Sequence, residues 1–289
     1  MKTIGFIGTG IMGLPMAQHL ARAGFSIKAW NRTAAKASSL RKWGANIVGN
    51  ARDVASGADV VICMLSSGPT CDEILLGEGG VIAAMKPGAL LIVMSSIPVE
   101  TAQQQAVVAK AHGVHYVDAP VSGGEKGAKE ATLAIMAGGE ATAWEIALAV
   151  LQTMGRPTHV GPAGCGQLAK LVNQMMVAAN IASVAEAMLL AERGGANPGK
   201  VREALLGGFA DSTALRQHAL RMINAEFAPG GPAKYQLKDT RTAVAFAQKA
   251  GLSLPMLNTA DNLFSNMIES GDGDLDHSAV INQLRRMNG

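Results

Sequence analysis

Six residues, Gly8-Thr9-Gly10-Ile11-Met12-Gly13, restrict the fold of this chain more than any other stretch. They form a GxGxxG pattern between an apolar, β-branched run at 3–8 and an amphipathic segment at 11–23. A strand that turns this tightly into a helix needs the first glycine for the turn, the second so that the backbone can approach a ligand, and the third so that helix and strand pack closely. The helix N-terminus then carries the positive end of its dipole, which suits a phosphate anion. The pattern predicts a dinucleotide site contacted by Gly8, Thr9, Gly10, Ile11, Met12 and Gly13.

Short β-branched runs recur at 25–30, 59–64, 89–93 and 113–117, separated by helical stretches such as 33–42 and by turns such as Lys86-Pro87-Gly88. That rhythm predicts a parallel sheet built from βαβ steps. After Gly161-Pro162-Ala163-Gly164 the pattern changes: apolar residues recur at helical spacing from Cys165 to Arg193, and Gly194-Gly195 followed by Asn197-Pro198 marks one helix ending and another starting. Everything after that reads as helices. The fold class is therefore an α/β, Rossmann-type dinucleotide-binding domain over 1–163 and an all-α domain over 164–289, joined by a long helix over 165–193. The length of 289 residues agrees, at about 150 residues per domain.

Composition excludes several classes. With 48% hydrophobic and 16% charged residues the chain is neither disordered nor fibrous. Its apolar stretches are broken before the ~18 residues that a spanning helix needs, so no membrane span and no membrane partner are expected. The N-terminus runs into the glycine pattern without a basic leader, so no export signal is expected. Three cysteines, Cys63, Cys71 and Cys165, include no CxxC pair, which argues against disulfides and zinc and for a reducing, cytoplasmic setting. The net charge of +3 lacks a basic block, so nucleic acid is not an expected partner. His112 and His115 have no carboxylate or cysteine set beside them, and no metal is expected.

Cofactor choice rests on the end of the second strand. An acidic residue there favours NAD(H) by accepting from the ribose 2′-hydroxyl, but this chain has Asn31, Arg32 and Thr33. A guanidinium beside a hydroxyl suits a 2′-phosphate, so NADP(H) is preferred, with NAD(H) possible. On the long helix Lys170, Asn173 and Gln174 fall at i, i+3 and i+4 and share one face, amid Leu168, Ala169, Leu171, Val172, Met175 and Met176. A polar triplet in so apolar a helix points to chemistry.

Four blocks carry a resemblance over essentially the whole chain: GFIGTGIMGLPMAQHL at 5–20, DAPVSGG at 118–124, GCGQLAKLVNQ at 164–174 and KDTRTA at 238–243. The sequence resembles the β-hydroxyacid dehydrogenase family. The resemblance implies that Lys170 is the catalytic acid/base, that Ser122, Gly123 and Gly124 bind a substrate carboxylate, and that Asn173, with Gln174, helps hold the substrate. It implies that Met64 and Leu65 line the cofactor cleft, that Ser96 contacts the nicotinamide region, and that Lys238 and Asp239 close the cofactor site from the helical domain. It also implies reduction of a short semialdehyde, and a homodimer or homotetramer.

The residues suit these roles. A Ser-Gly-Gly turn offers a hydroxyl and approachable amides to a carboxylate. An ammonium stabilises the negative charge that hydride transfer builds on a carbonyl oxygen, and supplies the proton. Two positions depart from many family members: Gln174 stands where Asn is common, and Val93 where Asp is common. Gln174, the run 207–213 and Asp276-His277-Ser278-Ala279 are similar to members that act on tartronate semialdehyde, the expected substrate. Oxidation of 3-hydroxyisobutyrate and reduction of succinic semialdehyde or glyoxylate are the alternatives. Outside the family, imine reduction and a catalytically silent cofactor-binding scaffold stand as rivals; the lysine and the carboxylate turn weigh against both.

Overall fold

The computed structural model describes residues 2–289. Its N-terminal part runs β1 (Thr3–Ile7), α1 (Gly13–Arg22), β2 (Ser26–Trp30), α2 (Ala35–Ser38), β3 (Asn46–Ile47), β4 (Val60–Cys63), α3 (Gly68–Leu76), α4 (Val81–Ala84), β5 (Leu90–Val93), α5 (Val99–Ala111) and β6 (His115–Asp118). It continues with β7 (Val121–Ser122), α6 (Gly124–Glu130), β8 (Leu133–Gly139), α7 (Ala141–Leu151) and β9 (Gly155–Gly161). The C-terminal part holds α8 (Cys165–Arg193), α9 (Pro198–Leu205), α10 (Thr213–Ile223), α11 (Ala233–Lys249), α12 (Pro255–Met267) and α13 (Val280–Met287).

The sheet order is β3-β2-β1-β4-β5-β6-β8-β7, with β9 paired to β8. From β3 to β6 every pair is parallel, and the order reverses between β1 and β4, where open α/β sheets bind ligands beyond their strand ends. Side chains alternate along each strand, so the sheet is buried on both faces. Phe6, Ile62 and Ile92 pack with Met16 and Leu20 of α1 and with α7; Ile7, Cys63 and Val93 pack with α3, α4 and α5. Val93 is thus a core residue.

Two local expectations need correction. The sheet is not wholly parallel: β8 runs antiparallel to β6 and β7. Its sequence, LAIMAGG, ends in two glycines, and the adjoining β9 contains Pro157, so neither resembles a strand by residue preference. β9 tolerates its proline because, among the described residues, it pairs with β8 alone. The stretch at 33–42 forms a four-residue helix and then a 3₁₀ segment, Ser39–Trp43. Ser38 donates its hydroxyl to the Ala35 carbonyl, the local competition that makes serine a poor interior helix residue.

The chain divides into two compact units, one ending at Lys170 and one spanning Leu171–Gly289, so the division falls inside α8. In the second unit Ala178, Ile181, Ala185, Met188 and Leu189 of α8 bury against Leu215, Phe264 and Leu284. Asn197 and Ser212 cap α9 and α10 by accepting from the amides of Lys200 and Leu215. By length and composition α8 contains an 18-residue stretch apolar enough to cross a membrane, contrary to the sequence expectation; its inward residues belong to this helical core.

Candidate active site

β1 delivers the glycine loop to the reversal point of the sheet. Gly8 has φ +95°, and a Cβ there would lie 2.1 Å from the Met64 carbonyl oxygen and 3.0 Å from Leu65 Cδ2. Met64 and Leu65, in the turn after β4, therefore sit directly against the loop. A Cβ on Gly13 would meet the Gly8 carbonyl oxygen at 1.9 Å, so only glycine lets α1 start this close to β1. Gly10 differs: its Cβ would meet no atom within 4 Å. The loop is sealed on its inner side and open at Gly10. Thr9 is buried and its Oγ1 has no hydrogen-bond partner among the described residues. An open backbone, an orphaned hydroxyl and a helix start without acidic residues fit the pyrophosphate of a dinucleotide. Ile11 is exposed and Met12 half-buried.

Asn31 follows β2. Its Oδ1 accepts from the Thr9 amide at 3.0 Å, and its Nδ2 donates to the Thr33 carbonyl at 3.1 Å. The carboxamide is a strut between the glycine loop and the turn that presents Arg32 and Thr33, both exposed, to solvent. Across the sheet, Ser95 Oγ accepts from the Leu65 amide at 2.7 Å, tying the turn after β4 to the loop after β5 that carries the half-buried Ser96.

Ser122 ends β7, and Gly123 and Gly124, with φ of +136° and +60°, make the exposed turn into α6. Lys170 is buried on α8. Two further buried polar side chains stand out at the beginning of that helix, Asp118 and Gln167, which residue type alone did not single out. Both lie inside the motif blocks at 118–124 and 164–174, the one available sequence signal for them.

In the helical unit Asn173 Nδ2 donates to Gln174 Oε1 at 2.8 Å, Gln174 Nε2 donates to Asp239 Oδ2 at 2.8 Å, and Lys238 Nζ lies 3.1 Å from Asp239 Oδ1. Gln236 also donates to the Gln174 carbonyl. The four predicted residues of α8 and α11 thus form one hydrogen-bonded row. Gln174 has a physical use here, because its longer side chain spans to α11.

Among the described residues, His218, Asp276 and His277 form a cluster that residue type would allow to hold a metal. The carboxylate is already engaged: Oδ1 accepts from the Ser278 amide and hydroxyl, and Oδ2 from the amides of Gly230 and Gly231. Arg221 adds a positive charge 3.4 Å away. Burial holds both histidines down, His277 to about 4, so neither is protonated at neutral pH. The cluster reads as a structural cap.

Comparison with known proteins follows the same division. Residues 3–166 match a family model described as the NAD binding domain of 6-phosphogluconate dehydrogenase. Residues 164–284 match the NAD-binding model of NADP-dependent 3-hydroxyisobutyrate dehydrogenase. The chain is 42% identical to 2-hydroxy-3-oxopropionate reductase of Escherichia coli K12, over 98% of this chain and 97% of that one. It is 34% identical to a probable mitochondrial 3-hydroxyisobutyrate dehydrogenase-like protein of Arabidopsis thaliana, over 99% and 94%. Among solved structures, 3-hydroxyisobutyrate dehydrogenase of Mycobacterium tuberculosis with L-serine superposes with a TM-score of 0.91 at 33% identity, covering 99% of both chains. With both models matched in sequence order and similarity sustained along the full length, this chain belongs to the β-hydroxyacid dehydrogenase family of NAD(P)-dependent oxidoreductases.

Proposed function

We propose that the protein is an NADPH-preferring reductase of a short β-hydroxyacid semialdehyde, with tartronate semialdehyde reduced to glycerate as the leading reaction. The observation that carries this reading is Lys170, a buried lysine on a helix that presents Asn173 and Gln174 one turn further on. The relative named for 2-hydroxy-3-oxopropionate, which is tartronate semialdehyde, supports the substrate. NADP(H), when bound, supplies the hydride. Gly8 to Gly13 would hold its pyrophosphate and Arg32 and Thr33 its 2′-phosphate; Met64 and Leu65 would line the cofactor cleft, Ser96 would contact the nicotinamide region, and Lys238 and Asp239 would contact the cofactor. Ser122, Gly123 and Gly124 receive the substrate carboxylate, and Asn173, with Gln174, helps hold the substrate. Lys170 Nζ donates to the carbonyl oxygen, stabilises the developing alkoxide and yields a proton to it; in the oxidative direction the neutral amine takes that proton back. The chain acts as a homodimer or homotetramer in the cytoplasm. Exposed Val172, Met176, Leu190 and Phe209 support self-association.

Initial rates with NADPH and NADH against tartronate, succinic and methylmalonate semialdehydes and glyoxylate, beside Lys170→Ala, test the reading. Tartronate semialdehyde with NADPH should dominate, and Lys170→Ala should lose about 10²- to 10⁴-fold in kcat with NADPH binding intact. Preference for another aldehyde refutes the substrate, and an active Lys170→Ala refutes the mechanism.

A further inference from the structure

The first turn of α8 is held from outside the helix. Asp118, at the end of β6 and fully buried, accepts from the Gly164 amide through Oδ1 and from the Gln167 amide through Oδ2, both at 2.7 Å. This is an N-cap supplied from 46 to 49 residues away. Two glycines make the approach possible. A Cβ on Gly138 would lie 2.8 Å from Asp118 Oδ1 and 2.6 Å from the Gly166 nitrogen; one on Gly166 would lie 2.4 Å from the Asp118 carbonyl oxygen and 2.8 Å from Oδ2.

Gln167 ties the same turn to the other side. Its side chain is 1% exposed. Its Oε1 accepts from the Ile97 amide at 3.1 Å and its Nε2 donates to the Ser95 carbonyl at 2.9 Å, bracketing Ser96. Lys170 follows Gln167 at i+3, about one turn on and on the same side of the helix. Both the direction and the rotation of α8 at Lys170 are therefore fixed by two polar side chains that are not part of the proposed chemistry. A cap of this kind is costly as a mere stabiliser: burial pushes the Asp118 carboxyl up to about 6, against the pull of the Gly164, Gly166 and Gln167 amides, so a charge is kept where the surroundings resist it.

We propose that Asp118 and Gln167 are positioning residues that lock the first turn of α8 onto the strand ends of β5 and β6 and thereby set where Lys170 Nζ points relative to Ser96. This rests on the reading of Lys170 as the acid/base. The couple works on the reacting geometry and not on ligand affinity, so its loss falls on kcat.

Gln167→Met keeps the length and removes both hydrogen bonds; Asp118→Asn keeps one acceptor and is the second, independent variant. Each is compared with wild type and Lys170→Ala by thermal unfolding, NADPH titration, steady-state kinetics and the primary isotope effect with 4-deuterated NADPH. Folded Gln167→Met should keep NADPH Kd and aldehyde KM within about threefold while kcat falls about 10- to 100-fold and the isotope effect on kcat rises. The double variant Gln167→Met/Lys170→Ala should be no slower than Lys170→Ala alone, since a positioning residue has nothing left to position. Wild-type kcat in Gln167→Met, a loss confined to Kd or KM, or full additivity in the double variant each overturns the proposal while leaving Lys170 in place. An unimpaired Lys170→Ala refutes the acid/base reading itself.

Discussion

Replacing Gly10 by alanine separates the ligand role of the glycine loop from its folding role. A Cβ at Gly10 meets nothing within 4 Å, and the residue is not in the left-handed region, so the added methyl strains nothing. The unfolded chain loses freedom, which stabilises the protein by about 0.4–1 kcal/mol, or a few degrees at most in Tm. Gly13→Ala is the contrast: its Cβ falls 1.9 Å from the Gly8 carbonyl oxygen and 3.0 Å from the Phe6 ring, and backbone must move. Its cost should be about 3 kcal/mol or more, in the range of severe local strain. For cofactor binding the order changes. If the pyrophosphate lies against Gly10, the methyl displaces one charge-assisted hydrogen bond worth about 1.5–3 kcal/mol, raising the NADPH Kd about 10- to 150-fold. Thermal unfolding and NADPH fluorescence titration of both variants decide it. Gly10→Ala with unchanged Tm and unchanged Kd refutes the seat proposed for the pyrophosphate; Gly10→Ala with a Tm as low as Gly13→Ala refutes the steric argument.

Arg32→Ala should raise the NADPH KM by at least about tenfold and leave the NADH KM within about twofold, because only NADPH carries the 2′-phosphate that the guanidinium pairs with; equal effects remove Arg32 from cofactor choice. His277 is held down to about 4 by burial, so the unfolded chain binds its proton first and stability is lost as pH falls from about 6.5 to 4, by up to about 3 kcal/mol. His277→Gln should recover that loss relative to wild type in denaturant titrations at pH 7 and pH 4, a comparison in which the opposite contribution of Asp118, whose raised pKa favours the folded state in acid, cancels; an equal pH response in the two proteins refutes it. Cys63 and Cys71 are fully buried with their sulfurs 3.9 Å apart, and the Cys71 contact and burial push the Cys63 thiol up. A thiol reagent should therefore modify Cys165 first, and the other two only on unfolding.

The parts of the fold that were legible are those in which one short segment contains its own reason. β1 with the glycine loop, the alternation in β4 and β5 and the unbroken apolar period of α8 each decide their structure locally, and α8 begins and ends where Gly164 and Gly194 flank it. The strands β8 and β9 were not legible, because Gly138 and Gly139 answer to what they touch beyond their own segment and Pro157 is tolerated only through the pairing of β9. Gly139, for instance, lies where a Cβ would be 2.8 Å from the Tyr116 carbonyl oxygen. Asn31 shows the same limit inside the site: residue type and position marked it as a cofactor contact, whereas its bond to the Thr9 amide exists only once β1 and β2 are paired.

In each unit the helix that bears the polar site residues is fixed by a carboxylate from a distant element that collects backbone amides: Asp118 at the start of α8, and Asp276 on Gly230 and Gly231 just ahead of α11. Burial opposes the charge at both, but the outcomes differ in sign. At Asp276 burial is outweighed by the Ser278 hydroxyl and amide and by the Gly231 amide, and the carboxyl is held below its usual range; at Asp118 amides alone do not compensate and it rises to about 6. The charge on Asp276 therefore adds stability at neutral pH, whereas the charge on Asp118 costs stability there. A buried charge retained at a cost, beside the helix turn that leads into Lys170, is what a positional requirement on that lysine would select.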